Sequence, residues 1–166
     1  MGITLLRCWV GQLLSPKLNE TNIDWKRSQL PADLNWLLGC RVTRVAREGE
    51  GPWYFEMGDH VLLSVECVWQ ILADGHVALG SGGHGQWYGL ASPVNAIDRA
   101  TELLDTRKVV HWALDNVSGD LNLQFEGAVV LRTFNASSGY EAWQLTGPGG
   151  IQVVVQGGGN VVCWGG

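Results

Sequence analysis

The chain has 166 residues, of which 46% are hydrophobic and 16% are charged. This length suffices for one domain with its own hydrophobic core, and the low charge argues against a long disordered segment. The net charge of −5 argues against nucleic acid and anionic membranes as partners, because both bind clustered basic residues. The 23 glycines and 9 tryptophans are typical of short strands, tight turns and large aromatic core residues.

The first thirty residues differ from the rest of the chain. Residues 3–14 are apolar but are interrupted by Arg7 and Gln12, and residues 17–29 are polar around Trp25. No small-residue cleavage site follows the apolar stretch, and no run of about eighteen apolar residues occurs anywhere. We interpret residues 1–30 as an arm packed on the domain, and we expect a cytoplasmic protein without a membrane partner.

Two short helices are predicted, and each leads into a strand. The first, Pro31 to Leu38, has a proline in its first turn and a glycine directly after it. The second begins at Ser92 and Pro93 and carries apolar residues at helical spacing as far as Leu104. Both helices end in a Leu-Leu pair, so they mark the same point in two related units.

Eleven segments have the character of strands. The clearest lies near the middle of the second half, where three apolar residues alternate with two polar ones. Short turns rich in Gly and Asn join most neighbours, so adjacent strands should pair antiparallel. The predicted strands are Cys40–Arg47, Trp53–Met57, His60–Cys67, Val68–Ala73, His76–Gly80, Arg107–Asp115, Leu121–Phe125, Ala128–Phe134, Tyr140–Leu145, Ile151–Gln156 and Asn160–Trp164.

The two groups of strands predict one module that is used twice. Residues 31–90 would form the first repeat and residues 91–166 the second, each a helix followed by a meander, and both would belong to a single domain. A meander with one apolar face must cover that face, so the repeats should pack on each other. We therefore predict a mainly β (α+β) fold with pseudo-twofold symmetry, as a sandwich or a partly closed barrel.

The cysteines and histidines predict neither a disulfide nor a metal site. Cys40, Cys67 and Cys163 lie in apolar strand patterns, where a thiol behaves as a small hydrophobic group. No C-x-x-C pair, no H-x-x-x-H pair and no mixed set at zinc-ligand spacing occurs. We expect reduced thiols, no metal and no cofactor.

No sequence motif names a reaction. The glycine-rich segment Gly80–Gly85 lacks the Gly-Lys-Ser/Thr sequence and the following helix of a phosphate-binding loop, so we interpret it as a flexible turn. No nucleophile elbow occurs. Glu66 and Glu141 stand at matching positions of the two repeats, which fits either paired carboxylates for acid–base chemistry or a repeated structural role. We expect a protein that is not an enzyme.

Aromatic residues give the clearest prediction of a binding surface. Tryptophans at repeated strand positions should lie in the core, namely Trp69, Trp143 and Trp164. The consecutive pairs Trp53-Tyr54 and Trp87-Tyr88 would point to both faces of a strand, so one ring of each pair should face outward unless the N-terminal arm covers it. Exposed aromatic rings anchor protein partners or stack on sugars.

We predict a partner-binding surface that combines these aromatic rings with neighbouring acidic residues and one histidine. Its candidate residues are Glu48, Glu50, Trp53, Tyr54, His84, Trp87 and Tyr88. They come from the first hairpin and from the segment that leaves the first repeat, and neither is well reproduced in the second repeat. Aromatic anchors with an acidic rim suit a basic protein partner.

Several short sequence motifs resemble those of a family of small bacterial proteins of unknown function. The motifs are Leu38-Gly39 with Val42, Leu121-x-Leu123-x-Phe125 with Gly127 and Leu131, Tyr140-Glu141-Ala142-Trp143, and the glycine-rich turn before Trp164. The resemblance covers Leu37 to Trp164 and implies a bacterial origin and a cytoplasmic setting. Small acidic bacterial proteins of this kind are often immunity proteins encoded beside a toxin, by analogy of class.

Three functional hypotheses are open. The first is an immunity-type inhibitor that binds and blocks a basic toxin or effector, as a monomer or a weak homodimer. The second is a small-ligand or carbohydrate-binding β module that uses the same aromatic residues. The third is an enzyme with a site at the interface of the repeats, which requires converging polar groups. We rank them in that order.

Overall fold

The computed structural model describes residues 33–165, so the predicted N-terminal arm with Cys8 and Trp25 lies outside the described residues. Over this range the chain forms eleven strands, one α-helix and four short 3-10 helices. Every strand begins and ends within three residues of its predicted bounds. The strands are β1 (Val42–Arg47), β2 (Trp53–Met57), β3 (Val61–Val65), β4 (Val68–Ala73), β5 (His76–Gly80), β6 (Val109–Leu114), β7 (Leu121–Phe125), β8 (Val129–Phe134), β9 (Trp143–Thr146), β10 (Gln152–Val155) and β11 (Val161–Trp164).

The strands form two antiparallel sheets that pack as a sandwich. The larger sheet has the order β1-β2-β3-β9-β10-β11, and the smaller has the order β5-β4-β8-β7-β6. Trp53 of the larger sheet meets Trp69 of the smaller sheet with ring centroids 4.9 Å apart. Buried side chains of both sheets belong to one continuous core. The mainly β fold and the sandwich are therefore confirmed, and the sheets do not close into a barrel.

The chain follows the same course between the sheets twice. β1, β2 and β3 lie side by side in the larger sheet, and the chain then crosses to form β4 and β5 in the smaller sheet. β6, β7 and β8 lie side by side in the smaller sheet, and the chain crosses back to form β9, β10 and β11. Each sheet is thus completed by strands from the other half of the chain.

These crossings correct the prediction that each half is one continuous meander. β3 and β4 are joined by Glu66 and Cys67 alone. Neither residue adopts the positive φ that a two-residue hairpin requires. The chain therefore passes to the other sheet here instead of turning back.

The two central tryptophans hold similar places in the two sheets. Trp69 of β4 pairs with Thr133 of β8, and Trp143 of β9 pairs with Val65 of β3. Both indole rings are buried, as predicted. They are the two largest fully buried side chains of the described chain.

Trp164 was predicted in the core as well, and this prediction was wrong. Its side chain is 48% exposed. It is the last residue of β11, which forms an edge of the larger sheet. A side chain on an edge strand lacks a neighbouring strand on one flank, so it is covered less than one in the sheet centre.

The first predicted helix is reduced to a single 3-10 turn, Asn35–Leu37, within the described part of residues 31–38. The chain leaves the helical conformation because Gly39, at φ +86°, donates its N–H to the carbonyl oxygen of Val109 at 2.8 Å. This contact joins the beginnings of the two halves of the chain. Pairing between the halves thus replaces the last helical turn.

The second predicted helix is confirmed with a later start, as α1 (Ala96–Leu104). Asn95 caps it, because its side-chain oxygen accepts the N–H groups of Ile97 and Asp98. Ser92 and Pro93 lie in the preceding loop, so the predicted N-cap was three residues too early. α1 packs against β1, β4 and β5. No helix among residues 33–165 is long and apolar enough to cross a membrane.

Candidate functional site

A cleft of about 460 Å³ lies at one end of the sandwich. It is bordered by the turn between β1 and β2, the linker between β3 and β4, and the turn that follows β5. Glu50, Trp53 and His84 line it, although they were predicted from two separate segments. The two segments that the sequence singled out are therefore neighbours in space. Glu48 belongs to the same turn as Glu50 but does not line the cleft.

Arg47 forms one wall of the cleft. Its Nε atom donates to the carbonyl oxygen of Gly51 at 3.1 Å, and its terminal nitrogen lies 3.3 Å from a carboxylate oxygen of Glu50. The guanidinium also lies 4.9 Å from the centre of the Trp53 ring. Because these contacts cover it, the Arg47 side chain is only 17% exposed. Glu50 compensates its positive charge.

Trp53 is buried, whereas its neighbour Tyr54 is partly exposed. The Trp53 ring meets Trp69 edge-on, and it meets the His84 ring edge-on with centroids 5.4 Å apart. The expectation that one ring of this pair faces outward agrees with the partial exposure of Tyr54. Trp53 therefore belongs to the hydrophobic core and also lines the cleft. Its truncation would lower the stability of the fold as well as affect any binding in the cleft.

His84 joins the cleft to α1. Its Nδ1 atom accepts the N–H of Ala96, the first residue of the helix, at 3.2 Å. Since Nδ1 is the acceptor, the neutral ring carries its proton on Nε2. The segment before His84 is also held, because Ser81 Oγ accepts the N–H of Trp69 at 3.2 Å. The glycine-rich segment predicted as a flexible turn is thus a hydrogen-bonded 3-10 turn, Ser81–Gly83.

Two exposed aromatic rings, Trp87 and Tyr88, stand beside the cleft and are called the aromatic ridge. Their side chains are 59% and 72% exposed, so both rings of this pair face solvent. A second groove of about 680 Å³ runs between β5 and the segment leading to α1. Tyr88, Leu90 and Val77 line that groove and are mostly exposed. The turn Ser81–Gly83 contributes residues to both linings, so it lies between the polar cleft and the apolar groove, and the ridge borders the groove through Tyr88.

Carboxylates flank the cleft on two sides. Glu48 and Glu50 are exposed on the turn between β1 and β2, and Glu66 is exposed in the linker between β3 and β4. Glu66 lines the cleft, and within residues 33–165 no basic side chain forms an ion pair with it. Glu141 does not line the cleft, although the backbone N–H of Glu66 donates to the carbonyl oxygen of Ala142. Both carboxylates of the matched pair are exposed.

Cys67 is the thiol at the border of the cleft. Burial raises the pKa of the Cys67 thiol, so the thiol is protonated at neutral pH and is a poor nucleophile. Cys40, Cys67 and Cys163 are free cysteines. Across residues 33–165, no three or more His, Cys, Asp or Glu side chains are grouped to hold a metal ion.

Sequence reasoning missed Arg47, Ser81 and Gln86, which also line the cleft. One sequence feature could have indicated Arg47. Arg47 and Glu50 have opposite charges three residues apart, on a glycine-containing turn that leads into Trp53. No sequence feature indicated Ser81 or Gln86. They reach the cleft because the turn after β5 returns to the turn between β1 and β2, a contact between distant positions of the chain.

Comparisons with curated proteins and with solved structures return no match. A family model matches residues 33–165, a range that includes both sheets, α1 and every residue of the cleft. This agrees with the resemblance to an uncharacterised family that the sequence indicated over Leu37 to Trp164. The chain belongs to DUF6188, a family of unknown function.

Proposed function

We propose that this protein is a bacterial, cytoplasmic binding protein of the immunity type, which binds and blocks a protein partner. The partner is a basic toxin or effector, and the protein itself is a monomer or a weak homodimer. The observation that carries the proposal is the aromatic ridge, in which Trp87 and Tyr88 are exposed, directly after Gln86 of the cleft and with Tyr88 in the lining of the groove.

The ridge has the composition of a protein-binding hot spot. Trp and Tyr are enriched among the residues that dominate binding energy, because each buries a large rigid surface with little loss of conformational freedom. Leu90 and Val77, both more than half exposed, continue the apolar surface into the groove. Adjoining exposed apolar residues of this kind are a feature of protein-binding surfaces.

Acidic residues beside the ridge favour a basic partner. Glu48, Glu50 and Glu66 are exposed around the cleft, while Arg47 is compensated by Glu50. The whole chain carries a net charge of −5. Such a field steers a basic protein toward the ridge and accelerates association more than it strengthens the final complex.

We also propose that the two halves are copies of one unit related by pseudo-twofold symmetry. The repeated course of the chain between the sheets supports this, and so do the matching pairs of Trp69 with Thr133 and of Trp143 with Val65. A further support is that both β1–β2 and β6–β7 have a register shift near their beginnings. Superposition of the halves in an experimental structure tests the symmetry.

The duplication gives the ridge its significance. In the second half the 3-10 turn after β10 leads within a few residues into β11, whereas in the first half the turn after β5 leads into the ridge and α1. α1 also occurs in one half only, but it buries three side chains in the core, whereas the two rings of the ridge are exposed, so packing does not explain them. The ridge occurs in one copy, which is what a binding feature added to a duplicated scaffold would look like.

A second candidate function is the binding of a small ligand or a carbohydrate in the cleft. Its volume of about 460 Å³ lies within the range of small-molecule sites. The Trp53 ring lines the cleft and is of the type that stacks on sugars. Arg47 lies over this ring and His84 meets its edge, so little of the ring is free for stacking. The third hypothesis, an enzyme, is disfavoured by the protonated Cys67 thiol and by the exposed carboxylates.

Site-specific photo-crosslinking in the native host tests the proposal. A photoreactive residue replaces Trp87 in one strain and Trp164, an exposed tryptophan on β11, in the control strain. We expect a basic protein to be crosslinked from position 87 and not from position 164. The purified partner must then bind the unmodified protein and lose its activity on binding. Identical products from both positions, or a bound partner that keeps its activity, would contradict the proposal.

A further inference from the structure

The two halves of the chain differ most in the linker that crosses between the sheets. β3 and β4 are joined by Glu66 and Cys67, whereas β8 and β9 are joined by residues 135–142. Both linkers leave the third strand of a half and enter its fourth strand. The longer linker therefore occupies space at its end of the sandwich that the shorter one leaves open.

Asn135 anchors the long linker. Its side-chain Nδ2 donates to the carbonyl oxygen of Ser118 at 2.8 Å and to that of Gln156 at 3.2 Å. Its backbone N–H donates to the carboxylate of Asp120 at 2.6 Å. One amide side chain thus ties the turn between β6 and β7 to the turn after β10.

Backbone contacts close this end of the sandwich. The N–H of Gly158 donates to the carbonyl oxygen of Ser137 at 2.8 Å. A Cβ atom at Gly157 would collide with the backbone of Ser138 and Gly139. The turn after β10 therefore lies directly against the linker, and no room for a side chain remains between them.

The corresponding end of the first half is the cleft. The 3-10 turn Ser81–Gly83 follows β5 as Gly157–Gly159 follows β10. Ser81 stands where Gly157 stands, and it lines the cleft while its Oγ atom accepts the N–H of Trp69. What is filled by residues 135–142 in one half is open space in the other.

We infer that the cleft binds a loop of the protein partner, composed of small polar residues and one basic residue, in the place that residues 135–142 occupy in the other half. The inference rests on the proposed function, because it presumes a protein partner. The long linker itself, Asn-Ala-Ser-Ser-Gly-Tyr-Glu-Ala, is an example of a chain that fits this kind of site.

The lining of the cleft matches such a loop. Ser81, His84 and Gln86 offer a hydroxyl, a ring N–H and an amide to the polar backbone of a turn. Glu66 offers a carboxylate without an ion-pair partner among the described residues, so a Lys or Arg side chain of the loop would pair with it. The charges of Arg47 and Glu50 compensate each other, which leaves the cleft with a net negative charge.

A peptide titration followed by NMR tests the inference on the full chain. The probe is an acetylated and amidated peptide with the sequence of residues 135–142, in which lysine replaces Glu141. We expect saturable shifts of backbone amides around the cleft, at Gly51, Ser81 and His84. Glu66→Gln should weaken binding about threefold or more, because it removes the carboxylate and little else.

A matched pair of glycine variants provides the control. Gly82→Trp places a large side chain in the open space of the cleft and should weaken peptide binding about tenfold or more. Gly139→Trp adds the same side chain at an exposed glycine of the filled half, where a Cβ atom also meets nothing within 4 Å. It should leave the affinity within about twofold. Melting temperatures of the variants confirm that each one folds.

The inference would be overturned if no saturable shifts appeared up to about 10 mM peptide, because a dissociation constant above this concentration is too weak for specific binding of a loop. Equal affinities of the two glycine variants would overturn it too, and so would shifts confined to the groove around Val77 and Leu90. Shifts that glucose produces and the peptide does not would make the cleft a carbohydrate site instead. The proposed function fails separately, if crosslinking from position 87 finds no basic partner, since the peptide experiment needs none.

Discussion

The indole nitrogen of Trp143 donates a hydrogen bond of 2.8 Å to the carbonyl oxygen of Gly119 inside the core. The indole nitrogen of Trp69 has no acceptor among residues 33–165. Gly51 precedes β2 by two residues, as Gly119 precedes β7, but its carbonyl oxygen accepts from Arg47. The arginine that builds the wall of the cleft thus engages the carbonyl that corresponds to the acceptor of Trp143.

This difference predicts unequal effects of the same substitution. Trp143→Phe and Trp69→Phe each remove part of a buried ring, but only the first leaves a buried carbonyl oxygen without its donor. We expect Trp143→Phe to lower the free energy of unfolding by about 1–2 kcal/mol more than Trp69→Phe does. Full truncation, Trp143→Ala, should remove about 3–5 kcal/mol. Urea unfolding measures all three, and equal losses for the two Phe variants would contradict the expectation.

The turn between β6 and β7 predicts a pH-dependent contribution to stability. The Asp115 carboxylate accepts the N–H of Ser118 at 2.7 Å, the N–H of Val117 at 2.9 Å and the hydroxyl of Ser118 at 3.1 Å. These hydrogen bonds, the one from the Ser118 N–H first, lower the pKa of Asp115 from its ordinary value of 3.8. The carboxylate therefore stabilises the fold above pH 3.8, and this contribution is lost as the pH falls through the lowered pKa.

Asp115→Asn keeps an oxygen that can accept the same bonds but does not titrate. We expect the free energy of unfolding to fall less steeply below about pH 4 in the variant than in the unmodified protein. The difference should be small, because solvent screens a partly exposed carboxylate. Urea unfolding between about pH 7 and pH 2.5 tests this. Superimposable pH profiles would show that the turn does not favour the ionised form.

We expect the fold to need neither a disulfide nor a metal ion. Cys40, Cys67 and Cys163 are free, and burial raises the pKa values of Cys40 and Cys67. Reductant and chelator should therefore leave the melting temperature unchanged within about 1 °C, whereas loss of a structural disulfide or metal removes several kcal/mol. A fall of many degrees with either reagent would show that a cross-link or a metal stabilises the protein.

The strands could be predicted from the sequence because their signals are local. Leu121–Phe125 alternates apolar and polar residues, and its observed bounds equal the predicted ones. The exchange of strands between the sheets was not predicted. It occurs because the linker Glu66-Cys67 does not form a hairpin, and the sequence pattern of the strands does not reveal this. The exposure of Trp164 was missed for a related reason, because alternation within a strand does not say whether the strand lies at an edge.

The candidate site was predictable in part. The first hairpin and the segment around His84 were singled out by their aromatic residues and by their difference from the second half. Their proximity was not, because it arises from the return of the turn after β5 to the turn between β1 and β2. The inward position of Trp53 follows from the pleat of β2, whereas both Trp87 and Tyr88 are exposed because they belong to no strand.

Charge reversal on the first hairpin should slow association with the partner. Glu48→Lys together with Glu50→Lys removes carboxylates that steer a basic protein, and the effect should increase at low salt because screening is weaker there. Glu141→Lys, at an exposed carboxylate that does not line the cleft, changes the net charge by half as much and is the control. Stopped-flow measurements should show a lower association rate for the double variant alone. An equal reduction in the control would indicate a long-range effect of net charge instead.

The most direct test of the central claim is calorimetry of the partner with two tryptophan variants. Trp87→Ala and Trp164→Ala both remove an exposed indole ring, and neither residue belongs to the buried core. We expect Trp87→Ala to weaken binding by more than about 1 kcal/mol and Trp164→Ala to leave it unchanged, with equal melting temperatures for both. Unchanged affinity for Trp87→Ala, or equal losses for the two variants, would contradict the claim that the aromatic ridge binds the partner.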